Sequence, residues 1–415
     1  DPLPLEEVGV LRLDQRSRKD KGMNKLARQA VVMGVGMTKF GKQSNRSIKD
    51  LAREATWKAI KDAGVSPRDI QVIYCGNSME GLLSGQEDVR GQVVMKDIGF
   101  AGIPIINTPN ACGSSSTAFR EAWLAIASGL YDVALAVGFE KLYINDTAKV
   151  NRALASATDL EIEGNMGAFL PGLYAMEAKR YMFETGCTKE QFAKITVKNH
   201  KNGCLNPYAQ IQQELTVEEV LNSKMVASPI TLYMCSPIGD GAAAAILCSE
   251  RVAAQYKANS VMIAGIGMTS GGYPEIGLNR NMPTATQLAA REAFEMAGIG
   301  PEDVDFAEIH NAFSPAEFIY FEELGFCQKG EAPRYLEEGK TQINGTIPIN
   351  TSGGLESKGH PVGATGLAMI HEAVIQLRRQ AGPRQVNSPR VGLVQNGGGS
   401  IGGDAAIMCV HLLTK

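Results

Sequence analysis

Cys112 stands in Asn110-Ala111-Cys112-Gly113-Ser114-Ser115-Ser116, a polar turn between an apolar run (Ile103 to Ile106) and a helix-like stretch (Ala118 to Ser128). A thiol at a strand-to-helix junction faces the positive end of a helix dipole and free backbone N–H groups, which favour thiolate and can hold an oxyanion beside it. The competing reading is a buried cysteine acting as a small hydrophobe. Two histidines have comparable addresses. His310 ends the apolar run Phe306-Ala307-Glu308-Ile309, at the sheet edge where α/β folds place their chemistry, and His360 lies in Ser357-Lys358-Gly359-His360-Pro361-Val362-Gly363-Ala364-Thr365-Gly366, a glycine-rich turn before a helix. Either could instead be a hydrogen-bonded structural residue. For His200, His371 and His411, in helical or strand surroundings, the structural reading is kept.

The elements that must position these residues are repeated. Ala63-Gly64-Val65-Ser66-Pro67-Arg68-Asp69-Ile70 matches Ala297-Gly298-Ile299-Gly300-Pro301-Glu302-Asp303-Val304, and each copy follows an amphipathic helix. Ile105-Ile106-Asn107 leading to Cys112 is echoed by Ile347-Pro348-Ile349-Asn350-Thr351-Ser352, in which Ser352 takes the place of Cys112. Two similar offsets in the same order predict duplicated α/β halves. Apolar runs at 30–35, 72–75, 133–137, 242–247, 261–266, 306–309, 391–394 and 405–410 read as buried strands, and 48–63, 286–297 and 364–379 as helices. The stretch from about 145 to 225 is rich in Gly, Met and Tyr with few strand signals, and reads as an inserted loop domain. Residues 1–22 read as a disordered leader or added segment ahead of a natural start at Met23, 23–260 as the first half with its insert, and 261–415 as the second half.

Composition sets the class. With 415 residues, 44% hydrophobic and 20% charged, the chain has the proportions of a globular enzyme of two or three domains. A net charge of -3 offers no electrostatic reason to expect nucleic acid. The eight cysteines contain no C-x-x-C pair, so no metal-site spacing is present and a reducing cytoplasm is expected. No apolar stretch reaches membrane-spanning length, and the terminal Leu412-Leu413-Thr414-Lys415 carries no peroxisomal signal.

Together, Asn110-Ala111-Cys112-Gly113-Ser114, Cys235-Ser236-Pro237-Ile238-Gly239-Asp240-Gly241, His310 with Phe313, Gly359-His360-Pro361 and Asn396-Gly397-Gly398-Gly399 resemble the thiolases over about Met23 to Lys415. The strand-end histidine resembles the sterol-carrier-protein-2 type, including members that work with a small zinc-ribbon and OB-fold (DUF35) subunit. The resemblance implies two βαβαβαββ halves in five αβαβα layers, with an inserted loop domain. It implies a Cys112 nucleophile, His360 as its base, an oxyanion hole from the N–H groups of Cys112 and Gly397, and a second from His310 and His360. Ser236 would lie along the pantetheine of coenzyme A, which is a substrate and not a bound cofactor. Met166 and Phe169, together with Leu170 and Tyr174, are candidates either for the acyl pocket or for core. No metal is implied, and a homodimer extended by a DUF35 subunit is.

One departure matters. Thiolases carry a second cysteine for proton transfer at the α-carbon, and here its two family positions hold Ala312 and Gln395. Neither side chain titrates near neutral pH. Four activities stay open: thiolysis of a 3-oxoacyl-CoA, with benzoylsuccinyl-CoA of anaerobic aromatic degradation, cleaved to benzoyl-CoA and succinyl-CoA, as candidate; a retro-aldol lyase partnered by DUF35; a condensing enzyme forming acetoacetyl-CoA; and a non-catalytic CoA-binding scaffold.

Overall fold

The computed structural model describes residues 28–256, 258–271 and 283–415; the expected leader at 1–22 lies outside them. The first half runs β1 (Ala30–Met37), α1 (Ile48–Ala63), β2 (Val72–Gly76), α2 (Arg90–Ile98), β3 (Ile105–Asn107), α3 (Ser114–Ala127) and β4 (Val133–Lys141). An insert follows, containing α4 (Leu170–Thr185), α5 (Lys189–Cys204) and a small hairpin, β5 (Met225–Ala227) and β6 (Ile230–Thr231), before β7 (Asp240–Ser249) closes the half. The second half holds β8 (Val261–Thr269), α6 (Ala285–Ala297), β9 (Phe306–Ile309), α7 (Pro315–Glu323), α8 (Thr365–Leu377), β10 (Val391–Ile401) and β11 (Asp404–Thr414).

The repeated octapeptide has a physical purpose in both copies. Helix α1 starts on a capping box, in which Ser47 accepts from the Asp50 N–H and Asp50 accepts from the Ser47 N–H, and it stops at Gly64 with φ 70°. Its counterpart α6 stops at Gly298 with φ 69°, and in each copy the proline then opens a 3₁₀ turn, Pro67–Asp69 or Pro301–Asp303. The left-handed glycine and the proline together reverse the chain so that the next strand runs back into the sheet.

The strands lie in the order β3-β2-β4-β7-β1-β8-β11-β10-β9. The first strands of the two halves meet in the middle, through Val31 opposite Met262 and Val32 opposite Val261, so the two half-sheets join into one. Beyond β9, Ile349 bridges Ala307 in parallel, in the place that β3 occupies beside β2. Helices α3 and α8 pack on each other and on strands of both halves, α1 covers β1, β4 and β7, and α6 covers β8 and β11. This gives five layers, helix outermost and helix at the centre. Strand β7 is buried along its whole length, as expected of a strand covered on both faces.

Two expectations are refined. Helix α3 begins at Ser114 and not at Ala118, because its first serines are buried and spend their hydroxyls on backbone: Ser114 donates to the Ala111 carbonyl at 2.6 Å and Ser115 accepts from the Leu367 N–H at 3.1 Å. Strand β10 continues through Gly397-Gly398-Gly399 to Ile401, because glycines there let the strand edge touch the Cys112 turn.

Candidate functional site

Cys112 sits one residue ahead of the capping residue of α3, after Ala111, which is held at φ 45°. Such a conformation costs about 1 kcal/mol for a residue with a Cβ, and the closure of the turn by Gly113 and Ser114 N–H groups onto Asn110 and Ala111 at 3.0 and 3.2 Å maintains it. Gly398 faces this turn so closely that a Cβ there would lie 2.5 Å from the Gly113 nitrogen and 3.0 Å from the Cys112 nitrogen. Any other residue at 398 would push the nucleophile turn away from β10.

The turn after β9, which carries His310, and the turn between the short helix Gly354–Lys358 and α8, which carries His360, reach the same point. The reactive atoms of Cys112, His310 and His360 all lie within 4.8 Å of one another. His360 Nε2 is 3.3 Å from Cys112 Sγ, and His360 Nδ1 is 2.7 Å from Thr365 Oγ1. Because the Thr365 hydroxyl donates to the Pro361 carbonyl at 3.0 Å, it accepts from His360 Nδ1–H, which leaves the Nε2 lone pair facing the thiol. His310 has the opposite tautomer. Asn396 Nδ2 donates to His310 Nδ1 at 2.9 Å, so Nε2 carries the proton. The two imidazoles meet edge-to-face with centroids 5.1 Å apart. One ring is thus arranged to take a proton and the other to donate a hydrogen bond.

Electrostatics keep this trio neutral at rest. Burial pushes the Cys112 thiol up to about 12, the Glu140 carboxylate adds to this, and the backbone N–H groups of Gly399 and Cys112 itself act against it. The expectation of a thiolate favoured by the helix terminus is therefore corrected: desolvation outweighs the dipole. Burial lowers His310 to about 3, helped by the Lys358 charge, and holds His360 well below the usual imidazole range.

The positions of the missing cysteine have other occupations. Gln395 accepts the His310 backbone N–H through Oε1 at 2.8 Å and lies 3.0 Å from Met408 Sδ, so it fixes the strand end that carries His310. Ala312 accepts the Ser236 N–H at 2.9 Å, and Cys235 bridges Phe313, so the segment 235–236 is laid beside the site. Gly397 pairs with Met408, two residues before the Gly399 N–H that reaches the sulfur. Around Cys112 the wall is apolar: Met79, Leu142, Val150 and Val362 share its cluster.

The insert reaches the site through Tyr174, whose ring lies 4.6 Å from that of Phe313. Met166 is 74% exposed and Phe169 49% exposed, so neither is core, and of the two expectations the acyl-pocket reading is the one left open. Sequence reasoning missed Glu140, which is fully buried and accepts N–H groups from Ser78 at 3.0 Å, Met79 at 3.2 Å and Gly363 at 3.1 Å, tying the His360 loop to the first half. A signal for it existed: like His310, it is a polar residue that ends an apolar run (133–139). Nothing comparable marked Asn396 or Thr365 as partners of the histidines.

A nine-stranded duplicated sheet with a cysteine at a central helix terminus and two neutral imidazoles over it defines an α/β fold assembled for chemistry on a thiol. The thiolase N-terminal domain matches residues 30–251 and the thiolase C-terminal domain-like family residues 279–410. An acetyl-CoA acetyltransferase of Methanothermobacter thermautotrophicus is 43% identical over 392 residues, covering 94% of this chain and 100% of that protein. Benzoylsuccinyl-CoA thiolase subunit BbsB of Thauera aromatica is 40% identical over 380 residues, covering 90% and 96%. Among solved structures, the Ltp2-ChsH2(DUF35) aldolase superposes with a TM-score of 0.78 at 26% identity, covering 94% of this chain and 98% of the matched one. The chain belongs to the thiolase family. It is an acyl-CoA C-acyltransferase, and coenzyme A is a substrate of that activity. No helix among the described residues is long and apolar enough to cross a membrane.

Proposed function

We propose that the protein cleaves a 3-oxoacyl-CoA with coenzyme A through an acyl-enzyme on Cys112. The observation that carries this reading is the 3.3 Å contact between Cys112 Sγ and a His360 nitrogen whose other nitrogen is anchored on Thr365. Sulfur attacks the keto carbon while His360 takes its proton. N–H groups of Cys112 and of the glycine run Gly397 to Gly399 receive the tetrahedral oxyanion. The bond between the α-carbon and the keto carbon then breaks, the acyl group stays on sulfur, and the electron pair leaves as the enolate of the shorter acyl-CoA. His310 Nε2–H and His360 hold that enolate oxygen, and the proton taken from Cys112 passes through the histidine pair to the α-carbon. Coenzyme A thiol then attacks the acyl-enzyme, its proton going to His360 and on to Cys112. Ser236 lies along the pantetheine arm.

The candidate substrate is benzoylsuccinyl-CoA, in a pathway of anaerobic aromatic degradation. The 40% identity to the Thauera aromatica thiolase subunit supports it, as does the apolar wall of Met79, Leu142, Val150 and Val362, suited to a benzoyl group on Cys112. A DUF35 subunit and a cytoplasmic homodimer complete the proposal. The likeness to an aldolase structure with a DUF35 partner favours a second reading, retro-aldol cleavage of a 3-hydroxyacyl-CoA. Incubating the protein, alone and with a DUF35 subunit, with coenzyme A and a panel of both substrate classes separates the two. Acyl-CoA products support thiolysis, whereas a free carbonyl product supports the lyase.

Two expected results follow here. Ala312→Cys leaves cleavage of the natural substrate within about threefold, because the histidine pair already delivers the proton, and raises turnover of acetoacetyl-CoA, whose enolate is less stabilised. A large gain with the natural substrate, measured as kcat, would show that proton delivery was limiting. The second concerns assembly. β3 is an edge strand with Ile106 and Asn107 exposed, and exposed edges are templates for pairing. Light scattering at micromolar concentration is expected to give a dimer, and a stable active monomer would contradict that arrangement.

A further inference from the structure

Behind the two histidines, a ring of four hydrogen bonds joins two carboxylates through two amides. Asn199 Nδ2 donates to Glu317 Oε2 at 2.9 Å and to Glu356 Oε2 at 2.7 Å, while Asn311 Nδ2 donates to the same oxygens at 3.2 and 2.7 Å. All four residues are buried, and the amides pack on Gly354, where a Cβ would come within 2.8 Å of Asn311 Nδ2. Asn350 adds a third donor to Glu317 Oε2 at 2.8 Å and accepts the Ile309 N–H at 2.8 Å. Asn311 adjoins His310, and Glu356 lies on the short helix Gly354–Lys358 that leads into His360. One ring therefore connects both histidine-bearing segments to α5 and α7.

The charges in this pocket do not balance with both carboxylates ionised. Lys198 Nζ lies 2.6 Å from Glu317 Oε1 and donates to the Ile349 carbonyl at 2.8 Å, while the nearby Lys358 is engaged by Glu308 at 3.2 Å. The hydrogen bonds that Glu356 makes are to neutral groups, namely Asn199, Asn311 and the Thr196 hydroxyl at 3.2 Å from Oε1, and the Lys198 charge acts on it through space. A second buried anion beside Glu317 is costly, and a proton removes it.

We infer that Glu356 carries a proton at neutral pH beside the Lys198-paired Glu317, and that this carboxyl pair is a positioning device holding the His310 and His360 segments at one spacing. Burial, with the Glu317 charge next, pushes Glu356 up to about 8, while Asn199, Lys198 and Thr196 pull it down. Above that pH the two carboxylates repel across the ring and the histidine segments lose their common anchor.

The activity arm of the test rests on the proposed thiolysis; the stability arm does not. Glu356→Gln mimics the protonated acid, so kcat at pH 7 is expected within about threefold of wild type, with the alkaline fall in kcat displaced upward by roughly one pH unit or more. Glu356→Ala opens the ring and lowers kcat at every pH. For stability, the folded value of about 8 stands above the ordinary 4.5 of a glutamate, so the proton's contribution is complete below 4.5 and is lost as pH rises through 8. Wild-type Tm is therefore expected to fall relative to that of Glu356→Gln between those values. Parallel Tm curves would overturn the proton on Glu356 whether or not the protein is a thiolase. Superimposable kcat profiles, or a Gln variant as impaired as the Ala variant, would overturn the positioning role.

Discussion

Cys112→Ala is expected to lower turnover by on the order of 10⁶-fold, the scale seen when a nucleophile that works as a unit with its base is removed. The substitution takes away only a sulfur from a site that is 7% exposed and packed among Met79, Leu142 and Val362, so the fold and the binding of coenzyme A are expected to survive. Intact-mass measurement during turnover should find an acyl adduct on the wild-type protein and none on the variant. Calorimetric titration with coenzyme A should give matching affinities for both. Residual turnover of a few per cent would exclude an acyl-enzyme and turn the reading toward the lyase.

His310→Ala is expected to lower kcat by about 100-fold or more, the range found when one oxyanion donor is deleted from a dry site. The effect depends on charge state as well as position. Burial holds His310 near 3, so it is neutral at every pH at which the enzyme would be assayed, and the Asn396 hydrogen bond at 2.9 Å fixes the proton on the nitrogen facing the site. The donor is thus pre-organised where negative charge would develop on the enolate. The loss should fall on kcat with KM changed by no more than a few-fold, because the interaction strengthens only as the enolate forms. A change confined to KM would make His310 a binding residue alone.

Much of this architecture was legible in the chain. The strand positions followed from uninterrupted apolar runs, and the duplication from two offsets that agreed, since the glycine that ends α1 or α6 and the proline after it serve the same chain reversal in both halves. Cys112, His310 and His360 were visible because each interrupts an apolar or glycine-rich segment with a reactive group. Their protonation states were not legible. They depend on burial and on partners from distant segments, such as Thr365 for one ring and Asn396 for the other. For the same reason the helix-terminus argument for a thiolate failed: the dipole belongs to local sequence, whereas desolvation belongs to the packed whole. Met166 and Phe169 had the composition of a pocket wall or a core; their exposure excludes the core, while Tyr174 a few residues on reaches Phe313.

The junction of β1 with β8 places the origins of the two duplicated halves side by side, and their roles have since diverged. The first copy supplies the sulfur, and the second supplies both imidazoles together with Ser352, which stands where the sulfur would be but spends its hydroxyl on the buried Glu308. Reactivity is therefore a property of docking. Cys112 and His360, 248 positions apart, meet where the central helices α3 and α8 pack on each other. Without that closure the thiol lacks the burial that pushes it up to about 12, so the same packing that brings an imidazole to the Cys112 sulfur also keeps that sulfur protonated at rest.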